Sequence, residues 1–232
     1  MRRISEERTR KELIDPQLEQ AGWYLRDHSN VKIEIPVDGY DTEPWNGVTD
    51  YCLYRENGEV LAVVEAKKTS VDVRLAEGQL VYYVKEIEKH QPFRPFGFLA
   101  NGYDIYFVEV GLSSKRLVNG FFTREDLENL LFIRQNGHKL GNTPINPAIV
   151  DRAYQHEAVR RVSEAFEKGK RKALLVMATG TGKTRTIMAL IDVFMRANQA
   201  RWILFVADRE ALRGRQADRL FQSLLARSFK TT

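Results

Sequence analysis

The stretch GVTDYCLYRENGEVLAVVEAKK, at residues 47–68, contains two apolar, strand-like runs, and Asp50, Glu65 and Lys67 are polar residues placed within or directly after these runs. Asn57 and Gly58 lie between two apolar runs and predict a β-hairpin, because a type I′ turn needs positive φ at both central positions. A two-residue turn there places Asp50 directly opposite Glu65 on the neighbouring strand. Lys67 shares a face with Glu65, since side chains alternate along a strand.

Opposed carboxylates of this kind predict a metal site. Directly paired residues have Cβ atoms about 4.5 to 5.5 Å apart, so Asp50 and Glu65 could hold one hard cation through oxygen. Without a cation, a proton or the neighbouring lysine, two such charges repel. A divalent ion could activate water and polarise a phosphodiester, while Lys67 orients the water or stabilises developing charge. The alternative is an exposed sheet face with ordinary surface ion pairs, although the apolar run from Val60 to Val64 favours a buried strand.

A second candidate site is the glycine loop VMATGTGKT at residues 176–184. It follows a short apolar run and opens an amphipathic helical pattern, which is the context of a phosphate-binding loop. Lys183 would contact the β and γ phosphates of a nucleotide, and Thr184 would ligate Mg²⁺. Met177 stands where the strict pattern has glycine, and a chance glycine-rich turn is the alternative. The candidate loop residues are Thr179, Gly180, Thr181, Gly182, Lys183 and Thr184.

The elements that must position these residues fall into two groups. Residues 5–22 predict a helix that ends before Asp15 and a second helix, closed by Gly22, that Asp15 caps. Strands are expected at 31–37, 48–55, 59–66 and 96–110, with a helix before the last of them. After a segment rich in Gly, Asn and Pro, the order is helix 154–168, strand 173–177, helix 183–197 and strand 202–207. We therefore expect one domain at 1–135, a linker at 136–148 and a second domain at 149–232.

Composition limits the class of protein. The 232 residues carry a net charge of +5 and 43% hydrophobic residues, which favours a globular protein with a polyanionic partner such as nucleic acid. A single cysteine, Cys52, excludes an internal disulfide, and the four histidines show no zinc-ligand spacing. No apolar run is long enough to span a bilayer, so no membrane association and a cytoplasmic location are expected.

Residues 50–67 resemble the active site of the PD-(D/E)xK nuclease superfamily, in which an acid precedes a strand that ends in Glu-x-Lys. Gln79 and Tyr83 match the Gln-xxx-Tyr element of the RecB-like branch. The resemblance implies a Mg²⁺ site at Asp50 and Glu65, with Lys67, Gln79 and Tyr83 as further catalytic residues. Thr49 stands where proline is frequent, and simple packing is the alternative for Tyr83. Glu12 is a weaker candidate for a further ligand.

The second half resembles superfamily 2 helicases. TGTGKT is their form of the phosphate loop, and ILFVADREAL, with Asp208 and Arg209, is similar to their next motif. Gln155 in RAYQHEAV stands where these motors have a glutamine that reads adenine, with an exposed helical residue as the alternative. The resemblance implies ATP with Mg²⁺ as cofactor. It ends before the acidic magnesium-binding strand, so ATPase activity of this chain stays open.

The order of the motifs GW, DYCLY…EAK, LANG and MATGTGKT is similar to that of the restriction subunit of type I restriction enzymes. This resemblance implies an α/β chain in which a mixed-sheet restriction-endonuclease-like domain precedes the N-terminal portion of a RecA-like parallel α/β motor domain. It further implies a type I site-specific deoxyribonuclease that cuts unmethylated double-stranded DNA after ATP-driven translocation. The implied partners are that DNA and the methyltransferase and specificity subunits.

Three other readings remain open from the sequence. The chain could be a nuclease of another repair or mobile-element branch, with the same metal site and different partners. It could be a DNA- and ATP-binding module whose acid pair is structural, which predicts no cleavage with any metal. It could also act by docking on partner subunits, which an exposed apolar surface in the second half would favour.

Overall fold

The computed structural model describes residues 5–36, 48–68 and 77–206, and the chain divides into two compact units, residues 1–130 and residues 131–232. The first unit contains a six-stranded sheet with helices, and the described part of the second is helical. Within the described residues, no helix combines the length and the apolar character that crossing a bilayer requires.

One continuous helical segment opens the first unit. Helix α1 (Glu6–Thr9) runs into a π-helical turn (Arg10–Ile14) and then into α2 (Asp15–Gln20). The expected break before Asp15 is wrong, because the backbone stays helical through the π turn. The Asp15 carboxylate accepts a hydrogen bond from Tyr51 Oη (2.6 Å) instead of capping a new helix. Gly22, with φ of +84°, ends the segment as expected.

The strands of the sheet are β1 (Val31–Pro36), β2 (Val48–Tyr54), β3 (Val60–Ala66), β4 (Phe96–Ala100), β5 (Ile105–Val108) and β6 (Arg116–Val118). They lie in the order β1-β2-β3-β4-β5-β6, and the sheet is mixed, as the sequence predicts, because among the described strands only β3 and β4 run parallel. Helix α3 (Glu77–Glu88) lies between these two strands in the chain, since parallel neighbours need a crossover connection. Its buried residues Leu80, Tyr83 and Val84 pack on one face of the sheet.

The predicted register between β2 and β3 is confirmed in the strands, but the predicted turn is wrong. Tyr51 pairs with Val64, and the register then shifts by one residue near the turn. There the Arg55 amide bonds the Glu59 carbonyl (2.9 Å), and only Gly58 in the turn has positive φ (+84°). A three-residue connection therefore replaces the type I′ turn. The shift between Leu53 and Tyr54 compensates for the extra turn residue, so the pairs farther from the turn keep the predicted register.

The long strand predicted at residues 96–110 is two strands. Asn101 separates β4 from β5, and its side-chain oxygen accepts hydrogen bonds from the amides of Tyr103 (3.0 Å) and Asp104 (2.8 Å). Such an Asx turn reverses the chain, so β5 pairs antiparallel with β4. The edge strand β6 was not predicted, since its three residues form too short a run to show alternation.

Gly102 lies in this turn at a position where no other residue fits. Its φ is +89°, and an added Cβ would lie 2.7 Å from Leu13 Cβ in the π-helical turn. We expect Gly102→Ala to lower the free energy of unfolding by about 1 to 3 kcal/mol. Urea denaturation measures this loss of stability. Gly120→Ala is the control, because a Cβ added at Gly120 has no neighbour within 4 Å. Equal effects in the two variants would contradict this prediction.

The second unit is built around two helices, α5 (Ala153–Glu167) and α6 (Lys183–Arg196), both within two residues of the predicted bounds. α4 (Arg124–Asn136) leads into it, and a 3-10 turn (Leu140–Asn142) follows. Its buried apolar residues include Val150, Val159, Met188 and Ala189. Leu140, in the predicted linker 136–148, is buried in the same cluster.

The two strands predicted in this unit are not formed. Residues 173–178 and 202–206 are neither helix nor strand, and Ala207 lies outside the described residues. A strand requires a hydrogen-bonded neighbour, and the described part of this unit contains no strand to supply one. Leu174 and Val176 are consequently 86% and 87% exposed, in spite of their apolar character.

Candidate functional site

The first unit brings Asp50, Glu65 and Lys67 together at one end of the β2–β3 hairpin. Asp50 and Glu65 are the sequence neighbours of Tyr51 and Val64, which pair with each other across the two strands. Asp50 Oδ2 accepts a hydrogen bond from the amide of Ala66 (2.7 Å), the residue after Glu65. Lys67 Nζ donates to Glu65 Oε1 (2.7 Å), as expected for residues on one face. The three predicted residues therefore form one cluster.

Burial determines the electrostatics of this cluster. The Glu65 side chain is only 2% exposed, and its Oε2 has no hydrogen-bond partner among the described residues. Burial, with the nearby charge of Asp50, raises the pKa of Glu65 to about 8 despite the opposing effect of Lys67. Burial also raises the pKa of Asp50, although the hydrogen bond from the Ala66 amide acts in the opposite direction. Ionising both carboxylates is therefore unfavourable, and a cation bound between them would offset this free energy.

Gln79 and Tyr83 continue the cluster from α3. Lys67 Nζ donates to Gln79 Oε1 (3.1 Å), and Gln79 Nε2 donates to Tyr83 Oη (2.8 Å). The two residues are four apart and therefore lie on one face of the helix. Tyr83 is fully buried in the core, so packing and the hydrogen bond both fix its position. Tyr83 thus orients Gln79, and Gln79 orients the ammonium group of Lys67.

Sequence reasoning missed Arg10 and Glu34. Arg10 Nη1 donates to Asp50 Oδ1 (2.9 Å), and Arg10 Nη2 donates to Glu34 Oε1 (2.7 Å). Glu12, the acid proposed from the first helix, instead pairs with Arg8 (2.5 Å) at the surface. Eleven residues connect β1 to β2, so no turn rule could have set the register that brings Glu34 near Asp50.

The cluster fits a hard divalent cation. Asp50 and Glu65 supply carboxylate oxygens, the ligands that Mg²⁺ prefers, and Glu65 Oε2 is a buried acceptor with a free lone pair. The described residues contain no group of three His, Cys, Asp or Glu around one point. Among the described residues, two carboxylates are thus available to a metal at this point, and such a set would suit Mg²⁺, which commonly keeps several waters.

The glycine loop of the second unit has a defined backbone. Gly180 and Gly182 have φ of +80° and +82°, and Lys183 begins α6 directly after them. Lys183 Nζ donates to the Met177 carbonyl (3.3 Å), so its side chain folds back over the loop. Thr179 lies in the exposed turn before the helix. A loop with backbone amides at a helix N-terminus is suited to bind an anion.

Two residues at the start of α5 contact this loop. Gln155 is 2% exposed, so it is not the exposed helical residue of the alternative reading. Its Nε2 donates to the Thr181 carbonyl (3.2 Å), and within the described part of the chain its Oε1 has no partner. Tyr154 Oη donates to the same carbonyl (2.9 Å), a contact that the sequence did not reveal.

The remaining predicted residues lie in two places. Thr184 is the second residue of α6 and is half-buried. Asp208 and Arg209, from the second helicase-like motif, lie outside the described residues. The structure therefore places the seven nucleotide-site candidates on one loop and the two helices that flank it, namely Gln155, Thr179, Gly180, Thr181, Gly182, Lys183 and Thr184.

Two protein families match different parts of the chain. Residues 40–115 match the N terminus of the type I restriction enzyme R protein, and residues 148–231 match the res subunit of type III restriction enzymes. A fragment structure from Vibrio vulnificus YJ016, described as an HsdR subunit of a type I restriction enzyme, aligns with TM-score 0.46 and 23% identity. It covers 85% of this chain and 39% of that one.

Curated relatives extend the match over most of the chain. The EcoKI endonuclease subunit of Escherichia coli K12 is 30% identical over 280 aligned positions, covering 92% of this chain and 23% of the relative. The EcoAI endonuclease subunit of Escherichia coli is 28% identical over 176 positions, covering 70% and 21%. The chain thus spans less than a quarter of the length of these relatives. It belongs to the R subunits of type I restriction enzymes and carries their N-terminal region.

Proposed function

We propose that the first unit is the Mg²⁺-dependent DNA endonuclease of a type I restriction enzyme. One observation carries this proposal, namely the buried Glu65 beside the partly exposed Asp50, with Lys67 hydrogen-bonded to Glu65. Arg10 and Lys67 each bond one of these two acids, yet Glu65 Oε2 is buried without a partner among the described residues, which a purely structural ion pair would not require. The two curated relatives are both named as endonuclease subunits of type I restriction enzymes.

In this mechanism Asp50 and Glu65 would hold the metal, and a bound metal would supply Lewis-acid activation of the phosphodiester and of water. Lys67 keeps its ammonium beside the two carboxylates, where it orients the attacking water or stabilises the charge that develops on phosphate. Gln79 prevents Lys67 from rotating away, and Tyr83 anchors Gln79. Each group is held by the next, so little reorganisation is needed during the reaction.

The architecture that accompanies this function is also a proposal. We assign residues 1–135 to a PD-(D/E)xK nuclease domain, residues 136–148 to a linker and residues 149–232 to the start of a RecA-like motor. In the full-length protein, ATP-driven translocation would deliver unmethylated double-stranded DNA to the nuclease. The partners would be the methyltransferase and specificity subunits, in a cytoplasmic complex.

A second proposed activity is nucleotide binding by the glycine loop. The observation that favours it is the pair of left-handed glycines, Gly180 and Gly182, directly before Lys183 at the N-terminus of a 14-residue helix. Gln155 Oε1 lies next to this loop, is buried and has no partner among the described residues, so it could accept a hydrogen bond from an adenine amino group. Thr184 would ligate the Mg²⁺ that accompanies ATP.

The first experiment is nicking of supercoiled plasmid by this chain with Mn²⁺ or Mg²⁺, with EDTA as the blank. We expect metal-dependent nicking, and we expect Lys67→Ala to lower its rate by about 10- to 100-fold, because Lys67 bonds a metal-ligating carboxylate. Lys68→Ala is the matched control, since Lys68 is the exposed neighbour. Equal rates in both variants would contradict the role of Lys67. Absence of nicking, with DNA binding intact, would support a binding module.

A further inference from the structure

A strained residue lies opposite Asp50 in the sheet. The pairing of β1 with β2 joins Ile33 to Tyr51 and Ile35 to Thr49, and it omits Glu34. The same register would place Glu34 across from Asp50. Glu34 has φ of +54°, in the left-handed region that residues other than glycine and asparagine rarely adopt. Strain of this kind commonly persists at functional sites, so this position needs an explanation.

The strained backbone directs Glu34 to Arg10. Arg10 uses one nitrogen for Asp50 and the other for Glu34, and its side chain is only 16% exposed. Glu34 is 60% exposed and could turn to solvent, yet it bonds the guanidinium. Arg10 itself lies in the π-helical turn, a distortion that recurs at functional sites. Arg10 and Glu34, which both lie on irregular backbone, therefore form an ion pair beside Asp50.

We propose that Arg10 is the internal counter-ion of Asp50, that a divalent cation displaces it from Asp50, and that Glu34 then holds its guanidinium at the edge of the site. In that position the freed Nη1 can contact a phosphate oxygen of DNA. This inference rests on the proposed nuclease function. It adds Arg10 as a residue that contacts substrate and Glu34 as the residue that positions it.

The physical basis is competition for one oxygen. The Ala66 amide bonds Asp50 Oδ2 and Arg10 bonds Asp50 Oδ1, so a metal that ligates Oδ1 competes with the Arg10 hydrogen bond. Glu34 shares the guanidinium, and it therefore weakens the hold of Arg10 on Asp50 and gives the displaced cation a place to stay. A planar guanidinium has several donors, so it can keep Glu34 while it releases Asp50.

The test is the affinity of the full chain for Mn²⁺, measured by isothermal titration calorimetry. Arg10→Gln should bind Mn²⁺ about threefold more tightly or better, because the competing cation is gone. Glu34→Asn, which tolerates the left-handed backbone, should bind it more weakly, because Arg10 then stays on Asp50. Arg10→Lys should lie near wild type. Plasmid nicking by Arg10→Gln should fall even though its Mn²⁺ affinity rises.

Arg8→Gln is the matched control, since it removes the same charge from an exposed ion pair two residues away. A purely structural Arg10 predicts weaker Mn²⁺ binding in both Arg10→Gln and Glu34→Asn, and that result would overturn the inference. Asp50→Asn separates this failure from a failure of the nuclease proposal. If wild type and Asp50→Asn bind Mn²⁺ equally, the metal site itself is wrong. Thermal unfolding in EDTA verifies that each variant is folded.

Discussion

Replacing Glu65 by glutamine is expected to reduce Mn²⁺-dependent nicking by about 100-fold or more, because the neutral amide cannot serve as a charged metal ligand. Glutamine keeps an oxygen that can accept the hydrogen bond of Lys67 Nζ, so the fold of the hairpin should persist. Glu65 is buried with an unpartnered oxygen, and this geometry is the strongest reason to assign the metal to it. Plasmid nicking under a range of Mn²⁺ concentrations measures the loss.

The pH dependence of Mn²⁺ affinity, compared between wild type and Glu65→Gln, tests the raised pKa of Glu65. With a pKa of about 8, Glu65 carries a proton at pH 6 that a metal must displace. The Mn²⁺ affinity of the wild type should therefore rise roughly tenfold per pH unit from pH 6 toward 8 and then level off. Glu65→Gln should show weak binding with no such rise. A pH-independent affinity in the wild type would contradict the assigned proton on Glu65.

Stability without metal should follow the opposite trend. The folded pKa of Glu65, about 8, lies above its ordinary value of 4.5, so the unfolded chain loses the proton first. The contribution of Glu65 to the free energy of unfolding therefore falls as pH rises from about 4.5 to 8. Glu65→Gln should gain stability relative to wild type at pH 9 more than at pH 6. Glu56→Gln, 89% exposed on the same hairpin, should show no such difference.

The cluster was predictable where simple periodicity determines geometry. The alternation of a strand places Glu65 and Lys67 on one face, and the helical repeat places Gln79 and Tyr83 together. The hairpin register was found even though the turn was wrong, because the irregularity near Leu53 compensates for the extra turn residue. These relations are local, and local rules apply without knowledge of the tertiary fold.

Arg10 and Glu34 were not predictable because their positions depend on irregular backbone. An α-helix would point Arg10 in another direction, and its π turn has no sequence rule. Glu34 requires a left-handed residue inside a strand, which propensity alone would assign to glycine or asparagine. The two strands predicted in the second unit are not formed for a different reason, since a strand depends on neighbours that a local pattern of residues does not specify.

Replacement of Lys183 by alanine is expected to weaken binding of ADP with Mg²⁺ by about 10- to 100-fold. A hydrogen bond from a charged group contributes about 1.5 to 3 kcal/mol, and each 1.4 kcal/mol is about tenfold in affinity. Within the described part of the chain, the Lys183 ammonium bonds two backbone carbonyls of its own loop, at 3.3 and 3.5 Å, and phosphate can replace these acceptors.

The control for this prediction is Lys172→Ala, which removes an exposed lysine just before the same loop and changes the net charge equally. Fluorescence of a labelled ADP measures binding for both variants. Equal affinity of Lys183→Ala and Lys172→Ala would mean that nucleotide binds this chain by charge alone or not at the loop. Lys183 belongs to a different unit from Asp50 and Glu65. Loss of ADP binding in Lys183→Ala alone, with plasmid nicking unchanged, would therefore show that the nuclease site and the phosphate loop bind their ligands independently.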